Sequence, residues 1–131
     1  MKRSMMKDGK MLRECIEQYQ FYKSGNNRMV VLTCLRDSRV LVPCRVGRVD
    51  DTAFWQRDGK RWLLAFSNPA QQTELPARFQ TAEMDFLDVI RAAQFARVDG
   101  VLVDPYTVSF ALLPADYDTV SRMITRITSE A

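Results

Sequence analysis

Two apolar stretches of the sequence each stop at a polar segment that contains proline. Residues 62–66 end at Ser67-Asn68-Pro69, and residues 101–103 end at Asp104-Pro105. A hydroxyl, an amide and a carboxylate in one place could offer a polar cradle to a small ligand with a hydroxyl or amine group. The same residue types also end strands and start turns, because their side chains bond the local backbone. Ser67, Asn68 and Asp104 are therefore the candidate ligand-binding residues, and a plain turn is the alternative.

The segment between these stretches has the spacing of a helix. Apolar residues recur at i, i+4, i+7 and i+10 from Phe86, which predicts a helix over residues 83–97. Strand 62–66, this helix and strand 101–103 would form a βαβ unit with parallel strands. Ligands tend to bind beyond the carboxyl ends of such strands. If the two strands are adjacent, the three candidate residues should lie within about two strand spacings of ~4.7–4.9 Å each.

The first half of the chain predicts a helix followed by a hairpin. Apolar residues at helical spacing indicate a helix over residues 11–22, ended by Gly25 or Asn26 in a left-handed conformation. Residues 28–35 and 39–46 are rich in β-branched residues, which predicts a pair of antiparallel strands. Pro43 has no N–H for a ladder, so it should lie at an edge or beside a bulge.

A second hairpin has the strongest local signal. Asp58-Gly59 is a favoured two-residue turn, and counting outward from it places Trp55 opposite Trp62. Residues 62–66 do not alternate, which predicts a central strand covered on both faces. The chain should end in strands over residues 101–103 and 107–113 and a helix that begins at Pro114.

These elements predict an α+β fold. We expect a mixed, largely antiparallel sheet of about five to six strands, packed by three helices and containing one βαβ unit. A chain of 131 residues fits one domain over residues 1–131, with residues 1–9 as a flexible N-terminus.

Several kinds of catalytic chemistry are excluded because the sequence lacks the residue types or motifs that they need. The chain contains no histidine, which excludes Ser-His-Asp and Cys-His catalysis and argues against zinc. It contains neither GxxxxGK[ST] nor GxGxxG. Its three cysteines form no CxxC motif and have apolar neighbours, which is typical of buried, inert thiols in a reduced, cytoplasmic protein, although Arg45 could activate Cys44. No catalytic residue, metal site or cofactor is assigned.

Charge is distributed unevenly along the chain. Residues 1–61 carry 14 Lys/Arg against 7 Asp/Glu, and residues 62–131 carry 5 against 9. Basic and aromatic residues mix in the hairpins as they do in single-strand nucleic-acid sites, but the aspartates among them and a pI of 8.9 favour a solvated surface. Acidic residues gather around the predicted helix start, where they complement the helix dipole and could otherwise bind a hard cation: Glu74, Glu83, Asp85 and Asp88. No apolar run approaches the ~20 residues of a membrane span.

Two short motifs carry a family resemblance. "LLAFSN" before an amphipathic helix, and "DGVLVDP" after it, resemble the SseB-type N-terminal domain family from about Arg28 to Ile127. The family's Asn-Pro is Asp104-Pro105 here. We expect no counterpart of the second domain that many members have. The resemblance implies a bacterial, cytoplasmic protein and no particular activity.

Two functions are compatible with these observations. The absence of catalytic signatures favours a non-enzymatic protein-interaction or regulatory module that contacts a protein partner or its own copy. The alternative is a small-molecule-binding domain or weak enzyme that uses a polar cleft near Asn68 and Asp104.

Overall fold

The computed structural model describes residues 9–45, 48–52, 54–72, 74–76 and 79–130. The described residues form four α-helices and seven strands, so the α+β class is confirmed and one helix more than expected is present. In chain order the elements are α1 (Lys10–Phe21), α2 (Gly25–Arg36), β1 (Arg39–Arg45), β2 (Arg48–Thr52), β3 (Phe54–Arg57), β4 (Lys60–Ala65), β5 (Phe79–Asp85), α3 (Phe86–Ala96), β6 (Gly100–Val103), β7 (Phe110–Leu112) and α4 (Pro114–Glu130).

The strands form two sheets that are joined at one point. Four strands lie in the order β3-β4-β6-β7, and three lie in the order β2-β1-β5. Leu41 of β1 and Phe66, just after β4, exchange two backbone hydrogen bonds of 2.9 and 2.8 Å. The expected single sheet is therefore divided in two, with this bridge connecting the parts.

The four-stranded sheet contains both features that the sequence predicted for it. β3 and β4 form a hairpin at Asp58-Gly59 in which Trp55 pairs with Trp62. β4 and β6 are adjacent and parallel, with Ala65 opposite Val103. The βαβ unit is thus confirmed, although β5 also lies within its crossover.

Both faces of β4 are buried, as predicted for a central strand. Leu63 and Ala65 belong to a large core that the four helices cover. Trp62, Leu64 and Phe66 point the other way into a smaller apolar cluster. This two-sided burial explains why the strand shows no alternation of apolar and polar residues.

Residues 28–35 are helical, so the predicted strand there, and its hairpin with residues 39–46, are wrong. The side chain of Ser24 accepts a hydrogen bond of 3.0 Å from the Asn27 N–H and caps the start of α2. Gly25 and Asn26 are therefore the first residues of α2 and not the end of α1. Apolar residues of one face of α2 are buried, and this packing overrides the strand preference of β-branched residues: Val31, Leu32 and Leu35.

The helix predicted from residue 83 begins at Phe86, because residues 79–85 form the strand β5 that the sequence analysis missed. β5 pairs antiparallel with the whole of β1, from Arg39 opposite Asp85 to Arg45 opposite Phe79. Glu83 and Asp85 accordingly bind Arg39 across the sheet, at 2.9 and 3.0 Å, instead of forming a first helical turn.

Pro43 lies next to an irregularity in the sheet. The pairing of β1 with β2 shifts register between Cys44 and Arg45. The Leu41 N–H points at Phe66, and alternation places the Pro43 nitrogen on the same edge. The N–H that Pro43 lacks would therefore lie on the edge of β1 that pairs with Phe66 before Pro43 and with β2 after it.

Candidate functional site

The two polar strand ends lie side by side. Because β4 and β6 are parallel neighbours, Ser67 and Asp104 leave the sheet at the same edge. The Asp104 N–H donates to the Ala65 carbonyl at 2.8 Å, which extends the ladder by one residue. Pro105, which lacks an N–H, then ends it.

A carboxylate bridges these strand ends. The Ser67 N–H donates to one oxygen of Asp104 at 2.8 Å, and the Ser67 hydroxyl donates to the other at 2.7 Å. Both residues are buried, with 4% and 0% of their surfaces exposed. Asp104 has a φ of 48°, in the left-handed region that aspartate tolerates better than most residues. The predicted proximity of Ser67 and Asp104 is confirmed.

The first turn of α1 packs against Ser67. Gly9 precedes α1 with a φ of 63°, and a side-chain carbon added there would lie 2.8 Å from the carbonyl and hydroxyl oxygens of Ser67. Arg13 Nη1 donates to Ser67 Oγ at 3.4 Å. The positive end of the α1 dipole thus faces the side of the sheet that holds the Asp104 carboxylate.

Sequence reasoning missed Gly9 and Arg13 as parts of this site. The sequence predicts that Gly9 belongs to a flexible N-terminus, whereas Gly9 is buried against Ser67. Residues 1–8 of that segment lie outside the described residues. The one signal in the sequence is a glycine directly before an amphipathic helix. This signal does not show that Gly9 packs against Ser67.

Asn68 has a different environment from its neighbour. It is half-buried and extended, and its carbonyl accepts a hydrogen bond of 3.1 Å from the Gln71 N–H at the start of a short 3-10 turn. Asn68 follows Ser67 along the chain. The two sequence neighbours differ in role, because the hydrogen bonds that connect the ends of β4 and β6 are made by Ser67 and Asp104.

The Ser67–Asp104 pair connects the ends of β4 and β6 and stabilises the fold. Each carboxylate oxygen accepts a hydrogen bond from Ser67, and the first turn of α1 lies over Ser67. A ligand that approached Ser67 from the side of α1 would have to displace Gly9 and Arg13. Ligand binding by Ser67, Asn68 and Asp104 accordingly stays a prediction.

The buried carboxyl group makes stability depend on pH. Burial raises the pKa of Asp104 above 3.8, while hydrogen bonds from Ser67 and the charge of Arg13 lower it by less. Between these two values the folded chain binds more protons than the unfolded chain, so stability falls as pH rises. The pH-dependent part of the Asp104 contribution is therefore present below pH 3.8 and is lost as pH rises through the raised pKa.

We expect Asp104→Asn to isolate this effect. The amide keeps the shape and cannot ionise, so the stability advantage of the wild type over the variant should shrink from about pH 4 to pH 8. Urea unfolding of both proteins across that range measures it. A gap that widens with rising pH would show that the carboxylate form is the favoured one.

A groove between α1 and α2 forms a second surface feature. It has a volume of about 460 Å³ and is lined by Met11, Cys15 and Val30, by the carboxylates Glu14 and Glu17, and by two amide side chains. Met11 and Val30 are 54% and 51% exposed. The sequence does not reveal this groove, because its pattern predicts a strand over residues 28–35, where the structure has α2.

The described residues contain no group of three or more His, Cys, Asp or Glu side chains that could hold a metal ion. Of the acidic residues considered for a hard cation, Glu83 and Asp85 bind Arg39, and Asp88 binds Arg91 at 2.7 Å.

In the basic hairpin of β3 and β4, the Arg61 guanidinium lies 4.9 Å from the centre of the Phe54 ring.

Comparisons with known proteins identify the domain. Among the described residues, no helix is both long and apolar enough to cross a membrane. A search of curated proteins finds no match for this chain. The family model for the SseB protein N-terminal domain matches residues 12–117, which span all the strands and most of the helices described above. The chain therefore belongs to the SseB N-terminal domain family.

Proposed function

We propose that this domain is a non-enzymatic protein-interaction module whose contact surface is the α1–α2 groove. The single observation that carries the proposal is the exposure of apolar side chains on and around these two helices. Met11 and Val30 line the groove. In addition, Met29 is 43% exposed, Phe21 is 89% exposed and Tyr22 is 67% exposed. Exposed apolar side chains that share a site, as Met11 and Val30 share one groove, are typical of protein-binding surfaces.

The charge of the groove suggests which partner fits it. Both charged side chains that line it, Glu14 and Glu17, are carboxylates that lie one turn apart on α1. Apolar side chains together with two carboxylates complement an amphipathic helix whose apolar face is flanked by lysine or arginine. We therefore propose a basic amphipathic helix of a partner protein as the occupant.

Two synthetic helical peptides test this function. They share the same apolar positions, and their polar positions carry lysine in one peptide and glutamate in the other. Fluorescence anisotropy should show binding of the lysine peptide alone, and added salt should weaken it. Glu14→Lys/Glu17→Lys should weaken binding by about tenfold, since exposed ion pairs contribute ~0.2–1 kcal/mol each.

Substitutions of apolar residues provide the matched control. Val30→Asp should abolish binding, because it places a negative charge among the apolar side chains that line the groove. Phe95→Asp should leave binding unchanged, since Phe95 is 92% exposed on α3 and does not line the groove. Equal binding of both peptides, or loss of binding in Phe95→Asp alone, would contradict the proposal. A dimer in light scattering that Val30→Asp dissociates would instead identify a second copy as the occupant.

A further inference from the structure

Strand β5 forms one edge of the three-stranded sheet, which has the order β2-β1-β5. Leu41 of β1 lies opposite Glu83 of β5, and both backbone groups of Leu41 bond to Phe66 on the other side. Opposite residues in an antiparallel ladder either exchange both backbone hydrogen bonds or make none with each other. The N–H and carbonyl of Glu83 therefore point away from β1, and by alternation those of Thr81 do the same.

These outward backbone groups form an open edge. Within the described part of the chain, no backbone group bonds to the outward sides of Thr81 and Glu83. The edge strand β7 differs, because Arg28 Nη2 donates to its Ala111 carbonyl at 3.3 Å. Edge strands are commonly protected by proline, lysine, a bulge or a short length. β5 has seven residues, pairs with β1 without a register shift, and contains neither proline nor lysine, so its edge is suited to pairing with a further strand.

The charges on β5 limit which strand can pair with it. Its two carboxylates, Glu83 and Asp85, bind Arg39 of β1 at 2.9 and 3.0 Å. A single guanidinium leaves a negative charge in excess, and like charges directly opposite each other destabilise a strand pair. A strand that fits this edge therefore places neutral side chains opposite the two carboxylates.

A second β5 meets this condition in one antiparallel register. When Ala82 lies opposite Ala82 of a second copy, Thr81 lies opposite Glu83, and each exchanges both backbone hydrogen bonds with the other. Phe79 then lies opposite Asp85, so the whole strand pairs and no carboxylate faces another. A register centred on Glu83 would place the two copies of this carboxylate opposite each other, and one centred on Thr81 would leave Asp85 without an opposite residue in β5.

We propose that β5 pairs antiparallel with β5 of a second copy of this chain, with Ala82 on the two-fold axis. The two three-stranded sheets then form one continuous sheet in the order β2-β1-β5-β5-β1-β2. The contact uses none of the residues that line the α1–α2 groove, so it is independent of the proposed peptide binding. A contact of one strand from each copy is small, and the dimer should therefore dissociate on dilution.

Sedimentation equilibrium of the full reduced chain over a range of concentrations tests the proposal, and the wild type should show a reversible monomer–dimer equilibrium. Thr81→Pro should weaken dimerisation by at least about tenfold, because each copy loses a donor to the other. It should still fold, since the Thr81 N–H points away from β1 and an edge strand tolerates proline there. Thr81→Val keeps the N–H and is the matched control that should dimerise like the wild type.

Cysteine cross-linking tests the register and keeps the proposal testable if Thr81→Pro fails to fold. In the proposed dimer the two copies of Ala82 form a pair without mutual backbone hydrogen bonds, in which the Cα atoms are about 4.5 Å apart and a disulfide can form. Ala82→Cys should therefore give a covalent dimer when diamide oxidises the two thiols. Gln80→Cys lies opposite Met84 in this register, so it should give no more covalent dimer than the wild type treated in the same way.

Three results would overturn the proposed dimer. They are a wild type that stays monomeric at every concentration, a dimer that a folded Thr81→Pro variant retains, and cross-linking through Gln80→Cys in place of Ala82→Cys. Val30→Asp separates this contact from the groove, because it should abolish peptide binding and leave the β5 dimer intact. Failure of peptide binding with the dimer retained would contradict the proposed function alone.

Discussion

Asp104→Ala is expected to lower the free energy of unfolding by about 2–4 kcal/mol. The substitution leaves the N–H and the hydroxyl of Ser67 without their acceptors, in a site where Ser67 is 4% exposed. A buried donor that loses its partner costs about 1–3 kcal/mol, and alanine tolerates the φ of 48° less well than aspartate. Removal of a buried carboxyl group offsets part of this loss.

Urea unfolding followed by far-UV circular dichroism measures the change in the free energy of unfolding. Two further variants show how much of this change comes from each hydrogen bond of Ser67. Ser67→Ala removes the hydroxyl but keeps the backbone N–H bond to Asp104, so it should cost only about 1 kcal/mol. Asp104→Asn keeps an acceptor for Ser67 and a side chain suited to positive φ, so it should cost less than Asp104→Ala. If Asp104→Ala proves neutral, the buried bridge contributes nothing to stability.

The strand ends could be predicted from the sequence because local pattern and topology agree there. Residues 62–66 are apolar without alternation, which indicates burial on both faces, and the structure places them between two apolar clusters. The helix that follows predicts a parallel neighbour, and parallel neighbours bring Ser67 and Asp104 to one edge. Each step needs only short-range signals and one rule of connection.

α2 could not be predicted in the same way, because its local preferences disagree with its tertiary environment. Val30, Val31 and Thr33 favour a strand when taken alone. The helix forms because Val31, Leu32 and Leu35 pack into the core shared with α1, and Ser24 caps its first turn. Ser24 was the one local signal that pointed to the observed helix.

β5 was missed because it is polar and only partly buried. Its sequence, FQTAEMD, contains a single pair of larger apolar residues, Phe79 and Met84, and every described side chain in it is at least partly exposed. It forms a strand because β1 provides a complete antiparallel partner, with Arg39 opposite Asp85. A strand specified by its partner leaves little trace in its own sequence.

The contact between Gly9 and Ser67 lies further beyond sequence reasoning, since 58 positions separate the two residues. Gly9→Ala is expected to lower the free energy of unfolding by about 2–4 kcal/mol. The left-handed φ of 63° costs an alanine about 1–2 kcal/mol. Its methyl group would also approach the carbonyl and hydroxyl oxygens of Ser67 to 2.8 Å, in a buried site that has little room to relax.

Two other glycines separate the steric cost from the cost of the backbone conformation. Gly59 has a φ of 76° with open space around it, so Gly59→Ala should cost only the strain of about 1 kcal/mol. Gly25 has neither a positive φ nor any atom within 4 Å of an added side-chain carbon, and alanine there should stabilise the protein by up to about 1 kcal/mol. The same urea unfolding experiment ranks all three. A Gly9→Ala cost no larger than that of Gly59→Ala would mean that the α1 N-terminus can leave Ser67 freely. Ser67 would then be accessible from the side of α1, whereas a larger cost shows that Gly9 is held against Ser67.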